Sequence, residues 1–165
     1  MTTTTIRETI DLWEREPDKA RSKPMVKARQ EGRQAVLEAG PFSWRADLPA
    51  VLGGTNEAPS PTALLLSALA GCAVVFIRDT LAPQLGVRVE MVEATVRCET
   101  DARGLLGMDG VAPDLQAIQL EIQVRSPDDE RDVQQLFQVW QERCPIYLAL
   151  IKPTNVSLDI RAMPA

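Results

Sequence analysis

Three cysteines, at positions 72, 98 and 144, are the residues of this 165-residue chain best suited to chemistry, and no histidine accompanies them. A thiolate is a nucleophile and a redox centre, whereas a thiol with nothing to ionise it is a small apolar side chain. Without histidine the chain cannot run Ser-His-Asp or Cys-His catalysis, build an HExxH zinc helix or attach c-type haem. Three thiols with no CxxC pair fall short of the four that an all-thiolate zinc site needs, so neither a metal nor a cofactor is expected. Gly53-Gly54 lacks the spacing and the following Lys-Ser/Thr of a phosphate loop. The carboxylates at Asp128-Asp129 are expected to cap a helix, and those at Glu14 and Glu16 to be solvated.

The elements that must position the thiols follow from hydrophobic periodicity. Ser60-Pro61, a cap followed by proline at the first helical position, opens an apolar helix predicted over 61–81, ahead of Pro83 and Gly86. Cys72 sits in its middle, where it reads as a core residue as readily as a nucleophile. Val133, Leu136, Phe137, Trp140 and Cys144 share one face of a second helix that starts after Ser126-Pro127 and breaks at Pro145. If Cys144 caps the IYLALI segment beyond, free amide N–H groups there lower its thiol pKa. Cys98 ends a strand beside charged residues and reads as structural.

Around these lie an amphipathic helix over 5–15 with Ile6, Ile10 and Trp13 at helical spacing, and two or three strands between 25 and 48. A long strand is expected over 87–98 with a bulge near Met91-Val92, where the apolar parity changes. Ile118, Leu120, Ile122 and Val124 alternate strictly with polar residues, and 154–160 alternates again as a last strand. The sum is an α+β domain. Leu64, Leu65, Leu66, Leu69, Val74, Val75, Phe76 and Ile77 leave the central helix no polar face, so it must be covered on every side, and a homodimer would do this.

The net charge of −5 argues against nucleic acid as a partner, which requires a concentrated basic surface. The first residues have no apolar signal region, and the 15-residue apolar stretch over 63–77 is short of the roughly 20 needed to span a bilayer. A soluble cytoplasmic protein is expected, away from membranes and with reduced thiols.

The stretch LGGTNEAPSPTALLLSALAGC (52–72) together with QERCPIYLALIKPTNVSLDI (141–160) resembles the OsmC/Ohr family, the osmotically induced and organic hydroperoxide resistance proteins. The intervening ETDARGLLGMDGVAPDLQAIQLEIQVRSP is similar to the OsmC-like subgroup. The resemblance implies an OsmC-like domain over 24–165 behind an N-terminal helical extension over 1–23, and an intertwined homodimer with strands around the central helix. It also implies thiol-dependent reduction of organic hydroperoxides. Cys72 would be the peroxidatic and Cys144 the resolving cysteine, reset by an external dithiol, lipoyl-type reductants included. The family's active-site arginine falls on Arg33, with Arg29 as a neighbouring competitor. Thr62 stands where the family carries a glutamate, and Glu57 is the nearby carboxylate that could replace it. Thr62, Leu65 and Phe76 are the expected substrate contacts, with Trp44 a further aromatic neighbour. Because threonine brings no charge, a second reading stays open: a redox-sensing or small hydrophobic ligand-binding module without turnover. A third is a structural dimer with packing cysteines.

A free thiol near pKa ~8.5 is about 3% thiolate at pH 7, and a pKa of ~6 raises that about 30-fold at a cost of about 3.4 kcal/mol. Cys72 lies some three turns from the start of its helix, too far for the helix dipole to supply this. A guanidinium at ~4 Å contributes about 4 kcal/mol at an effective dielectric near 20, before desolvation. An arginine from another segment is therefore required.

Overall fold

The computed structural model describes residues 5–152 and 155–163. Thr5 and Glu8 close a reciprocal capping box on α1 (Ile6–Arg15), with Glu8 N–H donating to Thr5 Oγ1 at 3.2 Å and Thr5 N–H to Glu8 Oε2 at 2.7 Å. Ile6, Ile10 and Leu12 are half-buried, while Trp13 is largely exposed.

The next segment makes three antiparallel strands in chain order, β1 (Lys27–Glu31), β2 (Gln34–Ala39) and β3 (Phe42–Ala46). The register pairs Ala28 with Leu37 and Leu37 with Trp44, so these three share a face with Ala35 and Ala46. The opposite face carries Arg29, Arg45 and Glu38. The apolar face is only partly covered by this chain, and Phe42 at its rim is 71% exposed.

Asp47 then gathers the loop that leads into the central helix. Its carboxylate, 4% exposed, accepts from Leu48 N–H at 2.7 Å, Thr55 N–H at 3.1 Å, Thr55 Oγ1 at 2.6 Å and Glu57 N–H at 3.0 Å. Gly54 is enclosed by this cage. A Cβ there would lie 1.9 Å from the Leu48 carbonyl oxygen, so no other residue fits.

Ser60 Oγ accepts from Ala63 N–H at 3.1 Å and Pro61 occupies the first turn of α2 (Pro61–Phe76), the start expected from the sequence. The end differs. A π turn (Ile77–Leu81) carries the chain into α3 (Ala82–Leu85), past the expected stop, and Gly86 ends it in the left-handed region at φ 70°. Proline 83 cannot donate an N–H, and the π turn absorbs the mismatch by bonding Ala82 N–H to the Ile77 carbonyl. Pro61–Leu85 is thereby 25 residues, long and apolar enough by length and composition to cross a membrane; in this fold its Leu69, Ala73, Ile77, Leu81 and Ala82 sit in the core.

β4 (Met91–Glu99) pairs antiparallel with β5 (Gln116–Arg125). Two expectations for β4 are corrected. The strand starts at Met91, with 87–90 in no regular element although Glu90 N–H donates to the Arg125 carbonyl at 2.9 Å, and the register shift lies between Arg97 and Glu99. The parity change at Met91-Val92 marks the entry into the ladder. Between the strands, α4 (Ala102–Leu105) interrupts what the sequence presents as loop, with Asp101 accepting from Arg103 N–H at 3.0 Å.

α5 (Glu130–Arg143) follows, and neither expected aspartate caps it through its side chain. Asp129 occupies the cap position without a side-chain bond, and the Asp128 carboxylate accepts from Arg88 N–H and its guanidinium. α6 (Pro145–Ile151) begins directly after Cys144. The core gathers Leu69, Ala73, Ile77, Leu81 and Ala82 from the central helix with Leu136, Trp140 and Cys144 from α5 and its end. Half-buried Val92, Ala94, Val96, Leu120, Ile122 and Val124 form the sheet face over it. Each large side chain fully buried there stabilises the fold by about 1.5–3 kcal/mol.

The last expected strand is not formed. Thr154 lies outside the described residues, and 155–163 has no regular structure, leaving Val156, Leu158 and Ile160 more than 80% exposed. Alternation alone does not make a strand; it needs a partner, and the described segment pairs with none of the open edges of β1, β3, β4 or β5.

Candidate active site

Cys72 lies eleven residues into α2, and its Sγ is 3.1 Å from Cys144 Sγ. The contact exists because Pro145 ends α5 and turns α6 back against α2. Cys144 caps α6 as the sequence suggests, with Tyr147 N–H donating to its Sγ at 3.5 Å. The two thiols differ in access: Cys144 is fully buried at 0% exposed, and Cys72 is half-buried. Burial, reinforced by the Cys144 thiol, pushes the Cys72 thiol up to about 11, and the Ile146 backbone amide acts in the opposite direction. Among the described residues no arginine offsets this. Cys98 is half-buried at the β4 register shift, away from the pair.

The arginines sit at the other end of the helix. Arg29 and Arg33 line a shallow hollow with Asp47, Leu48 and Pro61, at the first turn of α2. At 1.5 Å per residue that turn is about 16 Å along the axis from Cys72. Arg29 is engaged by Glu38 at 3.0 Å and Glu31 at 3.5 Å, whereas Arg33 makes no ion pair among the described residues. Arg45, not singled out by the sequence, bonds Glu31 and donates to Gln34 Oε1 at 2.9 Å; Gln34 Nε2 in turn donates to Glu57 Oε2 at 3.1 Å. Glu57 is thus tied into the strand network, beside Trp44 in a groove that also borders Leu64, Ser67 and Ala68.

Of the expected substrate contacts, Thr62 is ten residues before Cys72, about 15 Å along the same helix, and does not approach it. Leu65 and Phe76 fall on the Cys72 side of the helix at i−7 and i+4, with Leu69 completing the stripe. Periodicity did not delineate a groove one helical turn from the thiols. About 490 Å³ in volume, it is lined mainly by apolar side chains, Leu69, Ile118, Leu120, Phe137, Trp140 and Tyr147 among them, together with Gln134 and Gln141, and neither cysteine lines it. Leu69 precedes Cys72 by one turn and Tyr147 follows Cys144 by one turn, so helical spacing could have marked those two; the β5 residues come from a long-range pairing. Trp140 and Tyr147 stack at 5.3 Å between ring centroids, tilted by 40°, and the buried Trp140 Nε1 has no hydrogen-bond acceptor among the described residues.

A pair of thiols 3.1 Å apart, one half-buried and one enclosed, can cycle between dithiol and disulfide. Solved structures share this fold. An OsmC-like protein from Mycoplasma pneumoniae is similar at 22% identity, covering 79% of this chain and 88% of that one, with a TM-score of 0.63. An organic hydroperoxide resistance protein OsmC from Legionella pneumophila is also 22% identical, covering 78% and 89%, with a TM-score of 0.59. An organic hydroperoxide resistance protein from Elizabethkingia anophelis is similar at 15% identity, covering 78% and 88%, at a TM-score of 0.59. At such identities the likeness is one of fold. No curated protein matches the chain. The sequence model of OsmC-like proteins matches residues 54–159, which holds both Cys72 and Cys144, and on that match this chain belongs to the OsmC-like family.

Proposed function

We propose that the protein is a thiol-dependent peroxidase that reduces organic hydroperoxides to alcohols, acting as a cytoplasmic homodimer. The observation that carries the reading is the 3.1 Å separation of the Cys72 and Cys144 sulfurs. The Cys72 thiolate attacks the terminal oxygen of the hydroperoxide, the O–O bond breaks, and the alkoxide takes up a proton and leaves as an alcohol. Cys72 is then a sulfenic acid, and the Cys144 thiol displaces its hydroxyl as water to form the disulfide. Oxidation of an external dithiol returns both thiols. The organic hydroperoxide resistance proteins among the similar structures support this reaction class. The mainly apolar groove one helical turn from the thiols favours an alkyl or aryl hydroperoxide.

The homodimer reading is supported by what one chain leaves uncovered: Ser67, Ala68, Gly71 and Val75 along α2, the rim of the β1–β3 face, and the apolar side chains of 155–163. Two α2 helices packed antiparallel about Ser67–Gly71 bring the first turn of one copy, with Thr62 and the Arg33 hairpin, towards the Cys72 of the other. Arg33, without an ion pair among the described residues where Arg29 is engaged, is then the activating cation. A guanidinium at ~4 Å supplies about 4 kcal/mol, against the pull of burial.

The test is steady-state reduction of cumene hydroperoxide with dithiothreitol as the reductant. Turnover that requires Cys72 supports the reading. A reversible Cys72–Cys144 disulfide without turnover selects the redox-sensing module, which the uncharged Thr62 and the raised Cys72 thiol favour.

A further inference from the structure

The two sulfurs of the proposed disulfide are not equally open to attack. Thiol–disulfide exchange needs the incoming thiolate to reach one sulfur on the side away from the bond that breaks. Cys144 is fully enclosed at 0% exposed, in a core cluster with Leu136 and Trp140, so it offers no approach. Cys72 is half-buried and is the more accessible of the two sulfurs. The leaving side is also prepared. Cys144 caps α6, and Tyr147 N–H already donates to its sulfur at 3.5 Å, so a thiolate released there meets a donor without rearrangement.

We propose that the reductive half of the cycle is directional: the external thiolate attacks Cys72 Sγ, the mixed disulfide forms on Cys72, and Cys144 is the leaving thiolate. The proposal rests on the Cys72–Cys144 disulfide of the reading above. The S–S bond between the two cysteines breaks as the bond from the reductant's sulfur to Cys72 forms, and the electron pair leaves on Cys144, which then takes a proton. The reductant's second thiol attacks its own sulfur in the mixed disulfide and releases Cys72 as a thiolate. One dithiol is oxidised to a disulfide and two protein thiols are restored. Cys72 thus makes both covalent contacts of the cycle, with peroxide and with reductant, and Cys144 meets neither.

The experiment forms the disulfide with diamide, so that it does not depend on peroxidase activity. The oxidised full-length protein is exposed briefly to 2-mercaptoethanol, quenched in acid and mapped by mass spectrometry. The expected product carries the 2-mercaptoethanol adduct on the Cys72 peptide and a free thiol on Cys144, in at least tenfold excess over the reverse. An adduct mainly on Cys144 overturns the proposal, even with peroxidase turnover intact. Failure of diamide to join Cys72 and Cys144 overturns it together with the disulfide it rests on. A second measurement compares Cys144→Ser and Cys72→Ser, each carrying a thionitrobenzoate mixed disulfide on the remaining member of the pair. Dithiothreitol should release the chromophore from Cys72 at least tenfold faster than from Cys144, and equal rates contradict the proposal.

Discussion

The sulfurs of Cys72 and Cys144 lie 3.1 Å apart although 72 residues of chain separate them. Bond formation requires only about 1 Å of further approach, since a disulfide is ~2.05 Å long. Oxidation should therefore proceed without unfolding either helix. Circular dichroism of the diamide-oxidised protein should match that of the reduced form, and loss of helical signal on oxidation would count against this geometry.

The roles of the cysteines should be unequal. Cys144→Ser should consume about one equivalent of cumene hydroperoxide and leave Cys72 as a sulfenic acid that dimedone traps, because attack needs only the first thiol. Cys72→Ser should consume none beyond background, and Cys98→Ser should behave as wild type. Peroxide loss that survives Cys72→Ser rejects the assignment.

The pH dependence of Cys72 should report the partner's arginine. Within one chain, burial and Cys144 push the thiol up, so thiolate is scarce at neutral pH. The homodimer should lower the pKa measured by iodoacetamide alkylation, and Arg33→Ala should raise it again by about one to three units, the range expected for losing one close charge. Alkylation profiles unchanged in both Arg33→Ala and Arg29→Ala would show that neither side chain activates Cys72. Sedimentation at micromolar concentration should give a dimer mass; a monomer alone contradicts the arrangement.

The loop before α2 should depend on Asp47 and Gly54. Four donors hold the Asp47 carboxyl well below the usual carboxylate range, so its folded pKa lies under its unfolded one. Its contribution to stability is present above the unfolded value of ~3.9 and is lost as pH falls towards the folded value. Asp47→Asn should lower the melting midpoint at pH 7, and the gap to wild type should narrow at pH 3. Gly54→Ala, whose Cβ meets the Leu48 carbonyl, should lower it at both pH values.

Trp140 separates packing from hydrogen bonding. The residue is 2% exposed and its Nε1 has no acceptor among the described residues, a situation that costs about 1–3 kcal/mol for a buried donor. Trp140→Phe should therefore destabilise far less than Trp140→Ala, for which the cavity cost is about 3–5 kcal/mol. Equal losses in urea unfolding would mean that the indole N–H is satisfied in solution.

Local chemistry in the sequence was enough where the structure answers to local chemistry. Ser60-Pro61 marks the start of α2, and the Ile118–Val124 alternation marks β5. The same alternation over 155–160 yields no strand, because pairing depends on an edge elsewhere and the pattern carries no information about one. Pro83 reads as a stop, yet a π turn carries the helix past it. Asp47 is an ordinary aspartate in the sequence; only the fold brings four donors to it. The pairing of Cys72 with Cys144 came from family resemblance, since no spacing rule brings the end of α5 back onto the middle of α2. The Trp140–Tyr147 groove depends on that same return and was not legible.

The central claim is that Cys72 and Cys144 form one redox pair that consumes organic peroxide. Its most direct test is peptide mapping of the reduced protein after one equivalent of cumene hydroperoxide. The account predicts a single dominant disulfide joining the Cys72 and Cys144 peptides, with Cys98 a free thiol and one equivalent of alcohol formed. A dominant disulfide involving Cys98, or unconsumed peroxide with all three thiols still reduced, would contradict it.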